Sequence, residues 1–577
     1  MQIKKIIVHN IRSIKHEEFN LDKYTLLIGE NNAGKSNIFR AIRIFYEDLK
    51  FNEKSDFPKF ETNDNESYIE ITFLLTNDEK SNLKDEYKNQ DNLLTVRKIL
   101  RTENEDFKPL VKSNQSNIFA YENGELSKKY FYGAKNISQA KLGTIIYIPE
   151  LSKSDDSLKM SGPSPLREMI NFVMKKVIEK SESYKNLNSA FENFNNTFKE
   201  ESKDDFSMKN LENDINDEIS NWGIEFGLNI NPIKPADIVK NLVSHYIKDG
   251  NLNNQIVSVD SFGQGLQRHL IYTLLKLSVK YIETKSTTKK EFSPDFTLIL
   301  FEEPEAFLHP SQQEKMNLNL KELSKGEEQQ IIITTHSPIF ASKNIDSLSS
   351  IVRIKRENNT KIFQLSQENI SNLFDENTSM FAYFLNILKD DSIKDTLKSK
   401  IRNKKLANEN DDIDLKLEQE KFKYILWLDS ERTSLFFAKH ILICEGASEK
   451  VFLDYLINNN DEWKNLKDKH IYILDSLGKF NIHRFMNLFN YLGINHSVLM
   501  DSDDDEIQTL VNDFINESKN DFTKKIHYFN KDLENFLNIE TPKRKDLKPL
   551  NIMHKYKNGE ISSEKLSEFK RIIEDLI

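Results

Sequence analysis

At 577 residues, with 38% hydrophobic and 30% charged side chains, the chain is too long for one core and reads as a soluble globular protein of two or three domains. No apolar run reaches the length of a bilayer span, and Met1-Gln2-Ile3-Lys4-Lys5 lacks the apolar core of a signal peptide, so a cytoplasmic protein with no membrane partner is expected. The single cysteine, Cys444, excludes a disulfide framework and any cysteine-based metal centre, and a net charge of −10 means that nucleic acid would have to be met by a local basic surface.

In chain order, Ile3 to Ile14 and Tyr24 to Ile28 read as two early strands bracketing a charged turn. The second runs into Gly29-Glu30-Asn31-Asn32-Ala33-Gly34-Lys35-Ser36, and Asn37 to Tyr46 reads as a helix. This is a G-x-x-x-x-G-K-S phosphate loop in its strand-loop-helix setting: the backbone N–H groups and the helix start face a triphosphate, Lys35 reaches the β and γ phosphates, and Ser36 ligates Mg²⁺. Asn32, Gly34 and Asn37 complete the expected contacts with ATP. Tyr68 to Leu75 and Leu94 to Leu100 are further strands, Asn52 to Glu66 is a polar loop, and Thr144 to Ile148 is a short strand of the buried type.

From about Pro165 to Trp222 the period becomes helical, with stripes through Leu166, Ile170, Val173, Val177 and Tyr184, then Phe191, Phe194 and Phe198, then Leu211, Ile215, Ile219 and Trp222. Such stripes are ordinarily helix packing, and an insertion of this kind can also form a dimer contact. Ser261-Phe262-Gly263-Gln264-Gly265 opens another apolar helix, where Ser261, Gly263 and Gly265 form an anion-binding nest that could cap a partner's nucleotide. Thr297 to Phe301 is a buried strand ending on Glu302-Glu303-Pro304-Glu305, with Glu302 fitting the Mg²⁺ side and Glu303 the water-polarising base. Ile331 to Thr335 ends on His336, which fits a γ-phosphate sensor.

These elements resemble ABC-type ATPases of the SMC/RecF-like branch over roughly residues 1–350, which implies nucleotide held between two heads and at least a homodimer. Two departures point to nucleotide acting chiefly as a signal: the Ser261 to Gln267 stretch is not Leu-Ser-Gly-Gly-Gln, and Glu302 stands where Asp is usual.

Residues 357–434 form a charge-dense connector containing Lys398-Ser399-Lys400-Ile401-Arg402-Asn403-Lys404-Lys405. A run of this kind is ordinarily a solvated helix face, yet it is the leading candidate for contacting phosphates, ahead of Lys543-Arg544-Lys545. A new α/β pattern follows. Phe436 to Cys444 reads as a strand ending on Glu445-Gly446, with Glu449 at the start of a helix. Ile471 to Leu474 is a second strand with Gly478 behind it, and Ser497 to Met500 a third that ends on Asp501-Ser502-Asp503, extended so that alternate residues point the same way. Glu445, Glu449, Asp501 and Asp503 at the carboxyl ends of parallel strands make an oxygen-only set suited to Mg²⁺ or Mn²⁺, whereas Asp504, Asp505 and Glu506 read as surface acids.

Glu-Gly, then Gly, then Asp-x-Asp resembles the Toprim fold, and an ABC-type head followed by Toprim is similar to the overcoming lysogenization defect (OLD) family of endonucleases. Leu428-Asp429-Ser430-Glu431-Arg432 leading into Phe436 also resembles that family's entry to its Toprim domain. The fold expected is therefore α/β: an ATPase head over 1–155 and 251–356, a helical segment over 156–250, the connector over 357–434 and a Toprim domain over 435–577. The layout is similar to nuclease subunits of Gabija-type anti-phage systems within the family. That resemblance implies DNA cleavage by two metal ions, a UvrD-like helicase partner and assembly beyond a dimer. It also implies a late basic residue that offsets charge on the phosphorane, for which Lys548 matches best and Lys543 and Lys545 are alternatives. The residues do not separate DNA from RNA, and an RNA-cleaving toxin or a non-cleaving sensor are the competing readings.

Overall fold

The computed structural model describes residues 1–149 except 90, 113 and 114; most of 181–228 and 246–257; scattered positions between 266 and 296; and 297–577 except 342–344, 409–412 and 428–431. Two compact units form: Met1–Ile148 with Lys289–Glu305 and Pro310–Ile577, and Pro149–Thr288 with Ala306–His309.

In the first unit, twelve strands of the described residues form one mixed sheet. Its antiparallel part is built from β1 (Gln2–Ile11), β2 (Ile14–Asn20), β4 (Ser67–Leu74), β5 (Leu93–Arg101), β6 (Ile118–Glu122) and β7 (Glu125–Tyr130). On the other side, β3 (Tyr24–Gly29), β8 (Thr144–Ile148), β11 (Thr297–Glu302), β12 (Gln329–Thr335) and β13 (Ile351–Arg356) run parallel, and β14 (Thr360–Gln364) returns beside β2. β3 is buried along its whole length and Leu298–Phe301 and Gln330–Thr335 are buried too, as expected of strands covered on both faces. Parallel pairing aligns Glu302 with Thr334 and Thr335 with Ile28, so motifs about 300 residues apart leave the sheet at one edge. The helix Lys35–Phe45 seats Ile38, Ala41, Ile42 and Phe45 on the sheet at spacings of three and four.

Three features depart from the sequence reading. The charged stretch after Ile14 is strand β2 rather than a turn: Glu17 faces inward, where its carboxylate accepts from the Lys361 ammonium (2.8 Å) and the Ile362 amide (2.8 Å). A polar residue on an inward position hides the strand alternation that would have revealed it. Strands β6 and β7 were likewise not foreseen. The connector contains three helices, Gln367–Lys389, Asp395–Asn403 and Ile413–Trp427, and buries Leu373, Phe374, Met380, Phe384 and Leu388. Its Glu420 takes both Nε (2.5 Å) and Nη2 (2.7 Å) of Arg484 in a bidentate pair.

The C-terminal part of the same unit is a four-stranded parallel sheet among the described residues, in the order β16 (Ile471–Asp475), β15 (His440–Cys444), β17 (Asn495–Asp501), β18 (Thr523–Phe529). Residues 432–437 form a helical turn, so β15 starts four residues later than its apolar run. One core gathers Leu442, Phe452, Trp463, Phe529, Ile552 and Phe569 between this sheet and the final helices. No described helix is long and apolar enough to cross a membrane.

In the second unit, helices Glu182–Phe198 and Met208–Ile219 and the antiparallel pair β9 (Ile247–Asp249) and β10 (Gln255–Val257) are described. Phe194, Leu211 and Trp222 are exposed on it. The stripe from Leu166 to Val177 and the nest residues Ser261, Gly263 and Gly265 lie outside the described residues.

Candidate nucleotide and metal sites

The phosphate loop is shaped by contacts that forbid side chains at both glycines. Gly29 has φ +153° and faces the Ile354 carbonyl on β13; Gly34 has φ +121° and faces the Thr360 side chain on β14, so a Cβ at either position would collide. Thr360 donates to the Ala33 carbonyl (2.9 Å) and pairs with the Ser13 hydroxyl (2.7 Å), to which the Asn37 amide also donates (2.7 Å). Asn32 adopts φ +64° and accepts from Arg356 (3.3 Å). Ser36 is exposed on the first turn of the helix.

Lys35 folds across its own loop, donating to the carbonyls of Gly29 (2.8 Å) and Glu30 (3.0 Å) and to His336 Nε2 (2.9 Å). Burial first, and then the Lys35 charge, hold the His336 imidazole below its usual pKa, which makes it a neutral acceptor. Its Nε2 is also 3.4 Å from Glu303 Oε1, which brings Lys35, His336 and Glu303 together beside the phosphate loop. Glu303 itself has a left-handed backbone, φ +42°. Glu302 accepts from the Tyr147 hydroxyl at the end of β8 (3.0 Å). Glu305, to which the sequence reading gave no role, is buried and accepts from the His336 amide (2.7 Å) and Thr335 hydroxyl (2.8 Å), fixing the turn that aims the imidazole.

At the second site Glu445 follows β15 and Asp501 ends the adjacent β17, whose amide donates to Glu445 Oε2 (3.2 Å). Glu449 sits on the first turn of helix Ala447–Asn459 and caps the Gly446 amide (3.1 Å). Burial and then the charges of Glu449, Glu445 and Asp503 push the Asp501 pKa up to about 9, against the pull of Lys548. Burial and the neighbouring carboxylates Glu445 and Glu534 push Glu449 to about 7, and burial raises Glu445 against Lys479. Oδ1 of Asp501 and Oε1 of Glu534 are buried without a hydrogen-bond partner. These acids therefore share one region that is short of positive charge.

Asp503 is not on extended backbone: its φ is +52°, its amide donates to the Lys531 carbonyl (3.2 Å), and its carboxylate meets Lys479 (2.5 Å). Lys548 opens helix Lys548–Lys557 and pairs with Glu534 (3.1 Å) and Asp532 (3.6 Å). In the second basic run, Lys543-Arg544-Lys545, Arg544 pairs with the exposed Asp546. Lys400 and Lys404 of the basic run pair with Glu506 (2.9 Å) and Asp505 (3.1 Å), just beyond Asp503. Lys479 and Glu534 escaped the sequence reading. The one signal for Lys479 was its place after Gly478 at the exit of β16, and Glu534 lies on a four-residue helix with no periodicity to expose it.

Among the described residues, no three His, Cys, Asp or Glu side chains converge tightly enough to hold a metal as they stand. The donor chemistry nevertheless fits a hard divalent cation: the side chains offer only oxygen, and Asp501 carries an orphaned buried oxygen whose neighbours are other carboxylates.

Together these features define a nucleotide-binding ATPase head followed by a Toprim domain. A family model described as an AAA ATPase domain matches residues 1–341, and one described as the overcoming lysogenization defect protein-like Toprim domain matches residues 436–503. The chain belongs to the family of the first model, the AAA ATPase domain, and carries beyond it a stretch that matches the OLD-like Toprim model. It is 21% identical over 514 residues to the Old nuclease of Escherichia phage P2, covering 87% of this chain and 77% of that protein. It is 22% identical over 494 residues to the Endonuclease GajA of Bacillus cereus strain HuB5-5, covering 76% of this chain and 65% of that one, which is less than two thirds of its length. An Smc head domain from Pyrococcus furiosus overlays with TM-score 0.37 at 17% identity, covering 65% of this chain and 99% of that one.

Proposed function

We propose that the chain is a divalent-metal-dependent endonuclease whose phosphodiester hydrolysis takes place at the Toprim acids and whose head senses ATP. The observation that carries this reading is Asp501, a buried carboxylate with an unpartnered oxygen among Glu445, Glu449 and Asp503. Mg²⁺ or Mn²⁺ bound there would supply water activation and stabilisation of the departing 3′ oxygen. Glu445, Glu449, Asp501 and Asp503 are the residues to hold it. Lys548, already neutralising Glu534, places a positive charge beside Asp501 where the phosphodiester would gain negative charge. The names of the phage P2 and Bacillus relatives support a nuclease.

ATP with Mg²⁺ would be held by the head: Lys35, now bonded to its loop carbonyls, would supply charge to the phosphates, Ser36 and Glu302 would hold the Mg²⁺, and Glu303 and His336 would serve the γ phosphate. DNA as substrate, a homodimer or larger assembly, a UvrD-like helicase partner and a role in Gabija-type anti-phage defence follow from the resemblance alone. Incubating the purified protein with plasmid DNA and with total RNA, each with Mg²⁺, Mn²⁺ or EDTA, tests the reading. Plasmid cut only with metal is the expected result. Cleavage of RNA alone would favour the toxin reading, and cleavage of neither would favour the sensor.

A further inference from the structure

Lys479 is 2% exposed, on the loop after β16, and every oxygen recorded around its ammonium belongs to the acid cluster. It donates to Asp503 Oδ2 (2.5 Å) and to the backbone carbonyl of Asp501 (2.7 Å), and lies 3.6 Å from Glu445 Oε2. Burying an ammonium is costly unless anionic oxygens surround it, so this position has been given to a cation by the fold itself. The cluster thus has a cation on its Asp503 side and an unpartnered buried oxygen at Asp501.

We propose that Lys479 is an internal counter-cation occupying one of two cation positions in the Toprim site. One divalent ion then binds readily at Asp501, Glu445 and Glu449, and a second binds at Asp503 only by displacing the ammonium. The proposal rests on the reading of these acids as a metal site and deepens it. Lys479 becomes a residue that sets how many metal ions the site holds at a given concentration. A lysine buried merely for packing would leave metal affinity unchanged when replaced by an apolar chain of like length.

The test is calorimetric titration of Mn²⁺ into the metal-free, nucleotide-free full-length protein, comparing wild type, Lys479→Met, Lys479→Arg and Asp501→Ala. Lys479→Met should tighten the weaker Mn²⁺ step by at least about tenfold, because an opposing charge is removed from the position the ion must enter. Lys479→Arg, which keeps the charge, should stay close to wild type. If Lys479→Met does not fold, Lys479→Gln keeps a hydrogen-bond donor without the charge and should show the same tightening. Unchanged or weaker Mn²⁺ binding in the neutral variants overturns the proposal. Asp501→Ala separates the two levels: if it retains wild-type Mn²⁺ binding the metal-site reading itself fails, and if it loses binding while the neutral Lys479 variants do not tighten, only the role of Lys479 fails.

Discussion

Gly34 shows how a single residue sets a binding site. Its backbone lies where L side chains rarely go, and the space a Cβ would need is filled by Thr360, which also holds the Ala33 carbonyl. Gly34→Ala should therefore weaken Mg-ATP binding by about 10- to 100-fold, since strain of this sort costs on the order of 1–3 kcal/mol. Titration with a fluorescent ATP analogue measures it, and wild-type affinity would contradict the account of the loop. Glu445, Asp501 and His336 stood out in the sequence because each ends or directly follows a buried apolar run, where a polar group needs a reason, and Lys35 because it stands in the G-x-x-x-x-G-K-S loop. Lys479 and Glu534 were not, because the burial of a lone lysine or glutamate is decided by loops far away in the chain. The left-handed Asp503 was missed for a related cause: the Asp-x-Asp spacing reads as extended backbone, and its bonds to the Lys531 carbonyl and to Lys479 come from loops distant in sequence.

At the scale of elements, the Toprim sheet is closed by histidines held neutral. His496 is fixed between the Ile494 carbonyl (3.0 Å) and the Thr523 hydroxyl (2.8 Å), and His440 lies against Ser497 (3.2 Å). Burial, seconded by Lys524 for His440 and opposed by the Ile494 bond for His496, lowers both to about 4. A folded-state pKa below the unfolded value of about 6.5 means that the stability is fully present above pH ~6.5 and is lost as pH falls towards 4. Each of the two should cost roughly 3 kcal/mol by pH 4, a large share of a typical ~5–15 kcal/mol. Hydrogen exchange of the β15 and β17 amides between pH 7 and 4.5 should show protection falling with acidification. Constant protection over that range would contradict it. The parallel strands β3, β11, β12, β15, β16 and β17 were readable as apolar runs, whereas β2, β6, β7 and β18 carry polar residues inward or lie near the sheet margins and blur the period.

For the whole first unit, the head and the Toprim domain meet through β13. Arg353, buried, donates to the carbonyls of Phe436, Ala438, Leu492 and Gly493. β13 pairs with β3, the strand that leads into the phosphate loop, and the loop's Glu30 pairs with Lys439 (3.1 Å), one residue before β15 and six before Glu445. An exposed pair like this adds little stability, yet it joins the phosphate loop to the residue just before β15, the strand that Glu445 follows. Coupling requires two states that nucleotide favours unequally. If ATP restrains cleavage, Lys35→Ala should cut plasmid without the inhibition that millimolar ATP imposes on wild type. If ATP powers cleavage, the same variant should be inactive. Cleavage by wild type that stays flat across titrations of ATP and a non-hydrolysable analogue would remove coupling from the account.

In the proposed function, phosphodiester hydrolysis depends on the buried acids of the Toprim sheet. Plasmid cleavage in Mg²⁺ or Mn²⁺ by wild type, Glu445→Ala, Asp501→Ala and Glu506→Ala, with melting temperature and ATP binding measured on the same samples, tests it most directly. Glu445→Ala and Asp501→Ala should lose cleavage while keeping the fold and nucleotide binding. Glu506→Ala, which removes only an exposed partner of Lys400, should cut at close to the wild-type rate. Wild-type cleavage by folded Glu445→Ala and Asp501→Ala would contradict it.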